Sequence, residues 1–177
     1  MVPDKNGNSA GAYEFDGIDD YINVNYSPDF DPPSFTITAW AKFTGSGDDY
    51  QHIISKHVNY LGSREGYGLQ YQKISDNFNF FTGEGGSGYD HINSGIVEPG
   101  VWYFIAGTFD GNEKRLYIDD SLVGMSSTTV VHSPNDLTIG CGGQFGSHYP
   151  QFGDFFKGTI DDITIYNQSL TSDEIRN

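Results

Sequence analysis

Short carboxylates stand at both ends of this chain, where it turns. Asp16 lies in EFDGIDDYINV (Glu14 to Val24), and Asp161 and Asp162 lie in FFKGTIDDITIY (Phe155 to Tyr166), each beside a glycine and an apolar, β-branched run. Such carboxylates, joined by backbone carbonyls around Gly17, are what a hard cation such as Ca²⁺ takes into its shell of roughly six to eight oxygens. Asp16, Asp161 and Asp162 are therefore the candidate metal ligands. The plainer alternative is an Asx turn at Asp16 over Gly17 and a solvated strand edge at Asp161 and Asp162.

A second group of residues suits the holding of a sugar. An aromatic ring packs against the C–H face of a pyranose, and planar polar side chains hold its hydroxyls. Tyr50, His52 and His57 flank one predicted strand, Tyr89 and His91 follow the Gly-rich run from Gly83 to Gly88, and His148 and Tyr149 sit in a long aromatic segment between Gly140 and Gly158. These seven are the candidate ligand-binding residues, against the reading that each merely anchors its loop. Trp40 and Trp102 lie inside strand patterns and read as packing residues. No His-x-x-x-His or Cys-x-x-Cys spacing occurs, so a catalytic zinc site is not expected. The lone Cys141 excludes an intrachain disulfide and reads as a small core residue.

The elements that must position these side chains are strands. Aromatic and β-branched segments alternate with turn residues, and no dozen-residue window carries a helical apolar stripe. In SFTITAWAKF, Phe35, Ile37, Ala39, Ala41 and Phe43 point one way and Thr36, Thr38, Trp40 and Lys42 the other. Further strands are expected at YEF, YINV, HIISK, YGLQYQ, FNFFT, WYFIAGTF, KRLYID, SLVGMSS, DLTIG and GTIDDITIY, with Asp110-Gly111-Asn112 and Asp119-Asp120-Ser121 as hairpin turns in a four-stranded meander. Only Thr171 to Glu174 carries a helix signal, a capping box. The likeness of the two end phrases predicts that the first and last strands lie side by side, closing a two-sheet antiparallel β-sandwich.

Composition narrows the partners. With 24 acidic against 9 basic residues, the formal charge of −15 repels phosphate backbones and anionic lipid, so nucleic acid and membrane insertion are not expected. A strongly sulfated or uronate-rich polymer is disfavoured for the same reason unless a cation bridges it, so a glycan partner is expected to be neutral. Residues 1–11 read as a flexible leader and 12–177 as a single domain, cut from a longer chain with further domains.

AYEFDGIDDYINV, SFTITAWAKF, GVWYFIAGTFDG, RLYIDDSLVG and FKGTIDDITIYNQSLTSDEI, in that order, resemble the laminin-G-like domains of the concanavalin A-like lectin and glucanase superfamily. The resemblance implies a jelly roll of the kind attached to secreted or cell-surface proteins, with a structural Ca²⁺ near the terminal strands; it does not by itself imply a ligand, and the expected lectin-like, non-catalytic role draws also on the aromatic loops and the acidic charge. The retaining glycosidases of that superfamily carry an E-x-D-x-E strand, which is absent here. The lyase branch uses a Gln-x-His strand, and Gln51-His52 lacks that spacing. A structural or protein-adhesion module without a glycan site is the alternative reading, and a polysaccharide hydrolase or lyase the third.

Overall fold

A computed structural model describes residues 1–60, 63–142 and 153–176. The strands are β1 (Tyr13–Asp16), β2 (Ile22–Val24), β3 (Phe35–Phe43), β4 (Tyr50–Tyr60), β5 (Ser63–Gln72), β6 (Asn77–Glu84), β7 (Tyr89–Asn93), β8 (Tyr103–Phe109), β9 (Glu113–Ile118), β10 (Ser121–Ser127), β11 (Leu137–Ile139) and β12 (Lys157–Tyr166), followed by the short helix α1 (Ser172–Ile175). They form two six-stranded antiparallel sheets, β1-β12-β3-β8-β9-β10 and β2-β11-β4-β5-β6-β7. The architecture is the all-β sandwich expected.

The alternation in SFTITAWAKF places Phe35, Ile37, Ala39, Ala41 and Phe43 in the core, all fully buried. They meet Ile54, Tyr67, Leu69, Tyr71, Phe78, Phe80 and Ile92 from the second sheet in one continuous cluster. Phe43 stacks on Tyr71 at 4.1 Å and Phe35 lies 4.3 Å from Tyr67. Because side chains alternate along a strand, each core residue of β4 to β7 has neighbours that point out of the opposite face. That outer face carries the candidate site.

The terminal phrases pair as expected: β1 runs antiparallel to β12, with Tyr13 opposite Ile160 and Asp16 opposite Lys157. Thr171 caps α1 in a capping box with Glu174, and Ile175 packs with Ala106 and Tyr117. The meander has three strands, β8-β9-β10, because β11 crosses to the other sheet and pairs with β2 and β4. Trp40 and Trp102 are half-buried on the outer side of the first sheet, with Trp40 5.5 Å from Phe104 and the Lys42 ammonium 5.0 Å from the Trp102 ring. Cys141 is buried, and burial pushes its thiol pKa up to about 12, so it is an unreactive thiol.

Two lysines are fully buried, each with a carboxylate. Lys114 reaches from β9 to the other sheet, meeting Asp90 at 3.0 Å, Thr82 Oγ1 at 3.1 Å and the Asp90 carbonyl at 2.6 Å. Lys56 meets Asp31 at 2.5 Å and the Ser133 carbonyl at 2.6 Å. Without these partners a buried ammonium would cost several kcal/mol.

Candidate functional site

The outward-facing residues of the second sheet can be read in rows across its register. His57, Gly66, Gly83 and Tyr89 form one row, Ser55, Gly68, Phe81 and His91 the next, and His52, Gln70, Asn79 and Asn93 a third. A β-bulge between His52 and Ile54 keeps His52 on the same face as Ser55 and His57. Glycines in the middle of two rows leave a depression. A methyl at Gly66 would lie 1.8 Å from the Lys56 carbonyl, and its φ of +91° is one that only glycine adopts at low cost.

The depression is a cavity of about 340 Å³ lined by Tyr50, His52, His57, Arg64, Gln70, Phe81, Tyr89, His91 and Asp154. That volume is at the lower end of the ~300–1,000 Å³ range of small-molecule sites. Phe81 forms its centre, approached edge-on by His52 at 5.3 Å, His57 at 5.4 Å and Tyr89 at 5.2 Å. The rings of His52 and His57 stack at 5.0 Å, and Ser55 Oγ hydrogen-bonds His57 Nδ1. Tyr50, 44% exposed, stands at the rim, whereas His52 and His57 are buried. The Tyr89 hydroxyl donates to the Val58 carbonyl at 3.1 Å, and the Arg64 guanidinium lies 5.0 Å from its ring.

Burial sets the charge of the site. It holds His52 well below the ordinary imidazole range, helped by His57 and His91, and lowers His57 to about 4, helped by Arg64. His91 is lowered by burial and by Lys114. At neutral pH all three rings are uncharged, so each carries one N–H donor and one nitrogen acceptor, the groups a hydroxyl pairs with, although His57 Nδ1 is already engaged by Ser55 Oγ. His52 Nδ1 is buried and has no hydrogen-bond partner among the described residues, which suits a bare nitrogen with the ring proton on Nε2, 4.0 Å from the Asp154 carboxylate. That contact is polar, not an ion pair, because His52 is uncharged; burial and then Asp48 and Asp49 raise Asp154 to about 6, so its carboxyl is mostly ionised at neutral pH.

Five of the seven candidate ligand-binding residues, Tyr50, His52, His57, Tyr89 and His91, meet in this cavity. His148 and Tyr149 lie outside the described residues. Tyr89 and His91 stand on strand β7, not in a loop: a segment rich in Gly, Ser and Asp hides an edge strand whose partner is β6. Arg64, Gln70, Phe81 and Asp154 join the site without having stood out as sequence candidates. Period-two spacing from Arg64 through Gly66 and Gly68 to Gln70 is the available signal for the first two.

The terminal aspartates do not converge. Asp16 pairs with Lys157, four positions along β12 from Asp161, roughly 13 Å at ~3.3 Å per residue. Asp161 and Asp162 share one cation, Lys5, whose ammonium bonds Asp162 and lies 3.8 Å from Asp161. Asp16 instead gathers with Asp19 and Asp20, an exposed triad with one carboxylate oxygen from each within 4.8 Å of the others. Asp16 Oδ1 accepts from the Ile18 N–H at 2.8 Å in an Asx turn, and Asp20 Oδ2 accepts from the Asp16 N–H at 3.1 Å. These bonds engage one oxygen of Asp16 and one of Asp20 and leave the second of each to a cation, so the triad fits a hard ion, whereas the Lys5-bound pair does not.

A laminin-G family model, Laminin_G_3, described as the concanavalin A-like lectin/glucanases superfamily, matches residues 16–176. No curated protein sequence matches the chain. Among solved structures, the chain is similar to the CBM40 of the Ruminococcus gnavus IT-sialidase bound to α2,3 sialyllactose, at TM-score 0.68 and 15% identity over 89% of this chain and 95% of that one. It also resembles a putative carbohydrate binding protein from Bacteroides ovatus, at TM-score 0.66 and 17% identity over 93% of this chain and 45% of that one. A Trypanosoma rangeli sialidase mutant displaying trans-sialidase activity matches at TM-score 0.59 and 20% identity over 81% of this chain, which spans only 22% of that protein. At these identities the likeness is one of fold. No helix among the described residues is long and apolar enough to cross a membrane.

Proposed function

For a chain that belongs to the concanavalin A-like lectin/glucanases superfamily as a laminin-G-like domain, we propose the role of a non-catalytic, lectin-like module that binds glycan in the cavity on the outer face of β4 to β7. The observation that carries this reading is the meeting of Tyr50, His52, His57, Tyr89 and His91 around Phe81, with Gln70 beside them. Aromatic edges and faces receive a sugar's C–H groups, and three uncharged imidazoles and an amide receive its hydroxyls. The imidazoles and the amide are uncharged and hydroxyl-seeking, which suits the hydroxyls of a pyranose ring. The R. gnavus module of the same fold, described with sialyllactose, supports glycan as the ligand class. The parent is a secreted or cell-surface protein.

The structural Ca²⁺ is assigned to Asp16, Asp19 and Asp20, where it would brace the turn joining β1 to β2 and take no part in sugar contact. The test is calorimetric titration against a broad glycan panel with Ca²⁺ present, repeated with Gln70→Ala. Binding by some member that weakens in the variant supports the reading; silence across the panel sinks it. Thermal unfolding in EDTA and in millimolar Ca²⁺ checks the ion, whose midpoint shift should vanish in Asp16→Asn.

A further inference from the structure

One cation lines this cavity, and among the described residues no carboxylate pairs with it. Resting on the glycan reading above, we propose that Arg64 selects a sugar bearing a carboxylate and orients it with that carboxylate at the Arg64 end. The guanidinium is held ready: Nε donates to the Ser87 carbonyl at 3.0 Å, and the plane lies 5.0 Å from the Tyr89 ring. Its backbone is fixed on both sides, the Arg64 N–H to the Gly86 carbonyl and the Arg64 carbonyl to the Gly85 N–H, each at 2.8 Å. By contrast, Lys5, Lys56, Lys73, Lys114, Arg115 and Arg176 each have an ion-pair partner, and Lys42 and Lys157, which have none among the described residues, line a different hollow. In a chain with 24 acidic side chains, an arginine that faces a cavity without one of them as partner is set aside for an external acid. Arginine's planar fork matches a carboxylate in two parallel hydrogen bonds.

The opposite end of the cavity has the other sign. Gln70 lies six positions from Arg64 along β5, roughly 20 Å at ~3.3 Å per residue, and Asp154 stands beside His52 in Gln70's row. An acidic substituent is drawn to Arg64 and repelled from Asp154, so the ligand enters in one direction, its neutral hydroxyls over His52 and Gln70. The charge of −15 is compatible with this: it resists a polyanion along its whole length, while a single carboxylate meets a local cation within the ~8 Å screening length.

The test compares matched ligands by calorimetry at pH 7.5: methyl glucuronide against methyl glucoside, and 3′-sialyllactose against lactose. At least one acidic member should bind about 10- to 100-fold more tightly than its neutral partner, the range of a charged hydrogen-bonded pair. In Arg64→Gln that ratio should fall towards one, and in Arg64→Lys part of it should remain, with unfolding midpoints recorded to confirm that both variants fold. Neutral sugars binding as well as acidic ones, or a preference that survives Arg64→Gln, overturns the selectivity and leaves the glycan reading standing. Acetate competing as well as the glucuronide also overturns it, since the site would then read a carboxylate and no sugar. Failure of every sugar, neutral and acidic, removes both readings.

Discussion

Replacing Asp154 with asparagine should stabilise the protein, and only where the carboxyl is ionised. Burial, and then Asp48 and Asp49, raise its pKa from 3.8 to about 6. At about 1.36 kcal/mol per pH unit, that displacement is worth about 3 kcal/mol. The side chain is 34% exposed, so solvent screening reduces the effect to roughly 1.5 kcal/mol. The folded state holds the proton more tightly than the unfolded chain. The ionised carboxylate therefore destabilises the fold above pH 6, and this penalty fades as the pH falls from 6 towards 3.8. Asparagine keeps the shape, removes the charge and tolerates the left-handed φ of +56° at this position. Asp154→Asn should then raise Tm by about 3–6 °C at pH 7.5, at ~2–4 °C per kcal/mol for a chain of this size, and by about half as much at pH 5. Differential scanning calorimetry at the two pH values measures this. An equal gain at both, or a loss at pH 7.5, would refute the electrostatic account of Asp154.

Acid should weaken the fold through His57: its folded pKa is about 4 against an ordinary 6.5, so the unfolded chain takes the proton first and stability present above pH 6.5 is lost as the pH falls towards 4. His57→Gln should flatten that slope in urea titrations between pH 7 and 5, and an unchanged slope would count against a neutral buried ring. Asp31→Ala strands the Lys56 ammonium and should cost roughly 3–5 kcal/mol, whereas Lys56→Met should cost less because Asp31 keeps the Tyr26 hydroxyl at 3.1 Å and His132 at 3.3 Å; equilibrium denaturation ranks the two. Gly66→Ala should yield no native protein by near-UV circular dichroism, given the 1.8 Å approach to the Lys56 carbonyl and the positive φ.

The alternating pattern of β3 makes its buried face legible in the residues alone, and a capping box makes α1 legible at Thr171. Both are local signals: side-chain period and a side chain reaching its own helix start. β7 is hidden because Tyr89-Asp90-His91-Ile92-Asn93 has one buried residue, Ile92, and otherwise the composition of a loop. It is a strand because β6 offers it an edge to pair with. Nothing local marks Lys56 and Lys114 as buried; the fold does so by supplying Asp31 and Asp90 at the ends of their stems.

The candidate site divides in the same way. Aromatic and imidazole residues suited to a sugar, and carboxylates suited to a cation, are visible as residue types in the chain alone, because chemistry belongs to the side chain. Which of them share a place depends on strand register, since neighbours in a sheet are often many residues apart in sequence. Register brings Arg64, Phe81 and His91 around His57, parts Asp16 from Asp161 and Asp162, and leaves Asp16 to join Asp19 and Asp20. The chain by itself determined a two-sheet sandwich, its core and its acidic balance, through local periodicity and composition. Tertiary structure alone decided the cavity, its neutral histidines and the arginine that faces it, because burial and proximity across strands set both shape and charge.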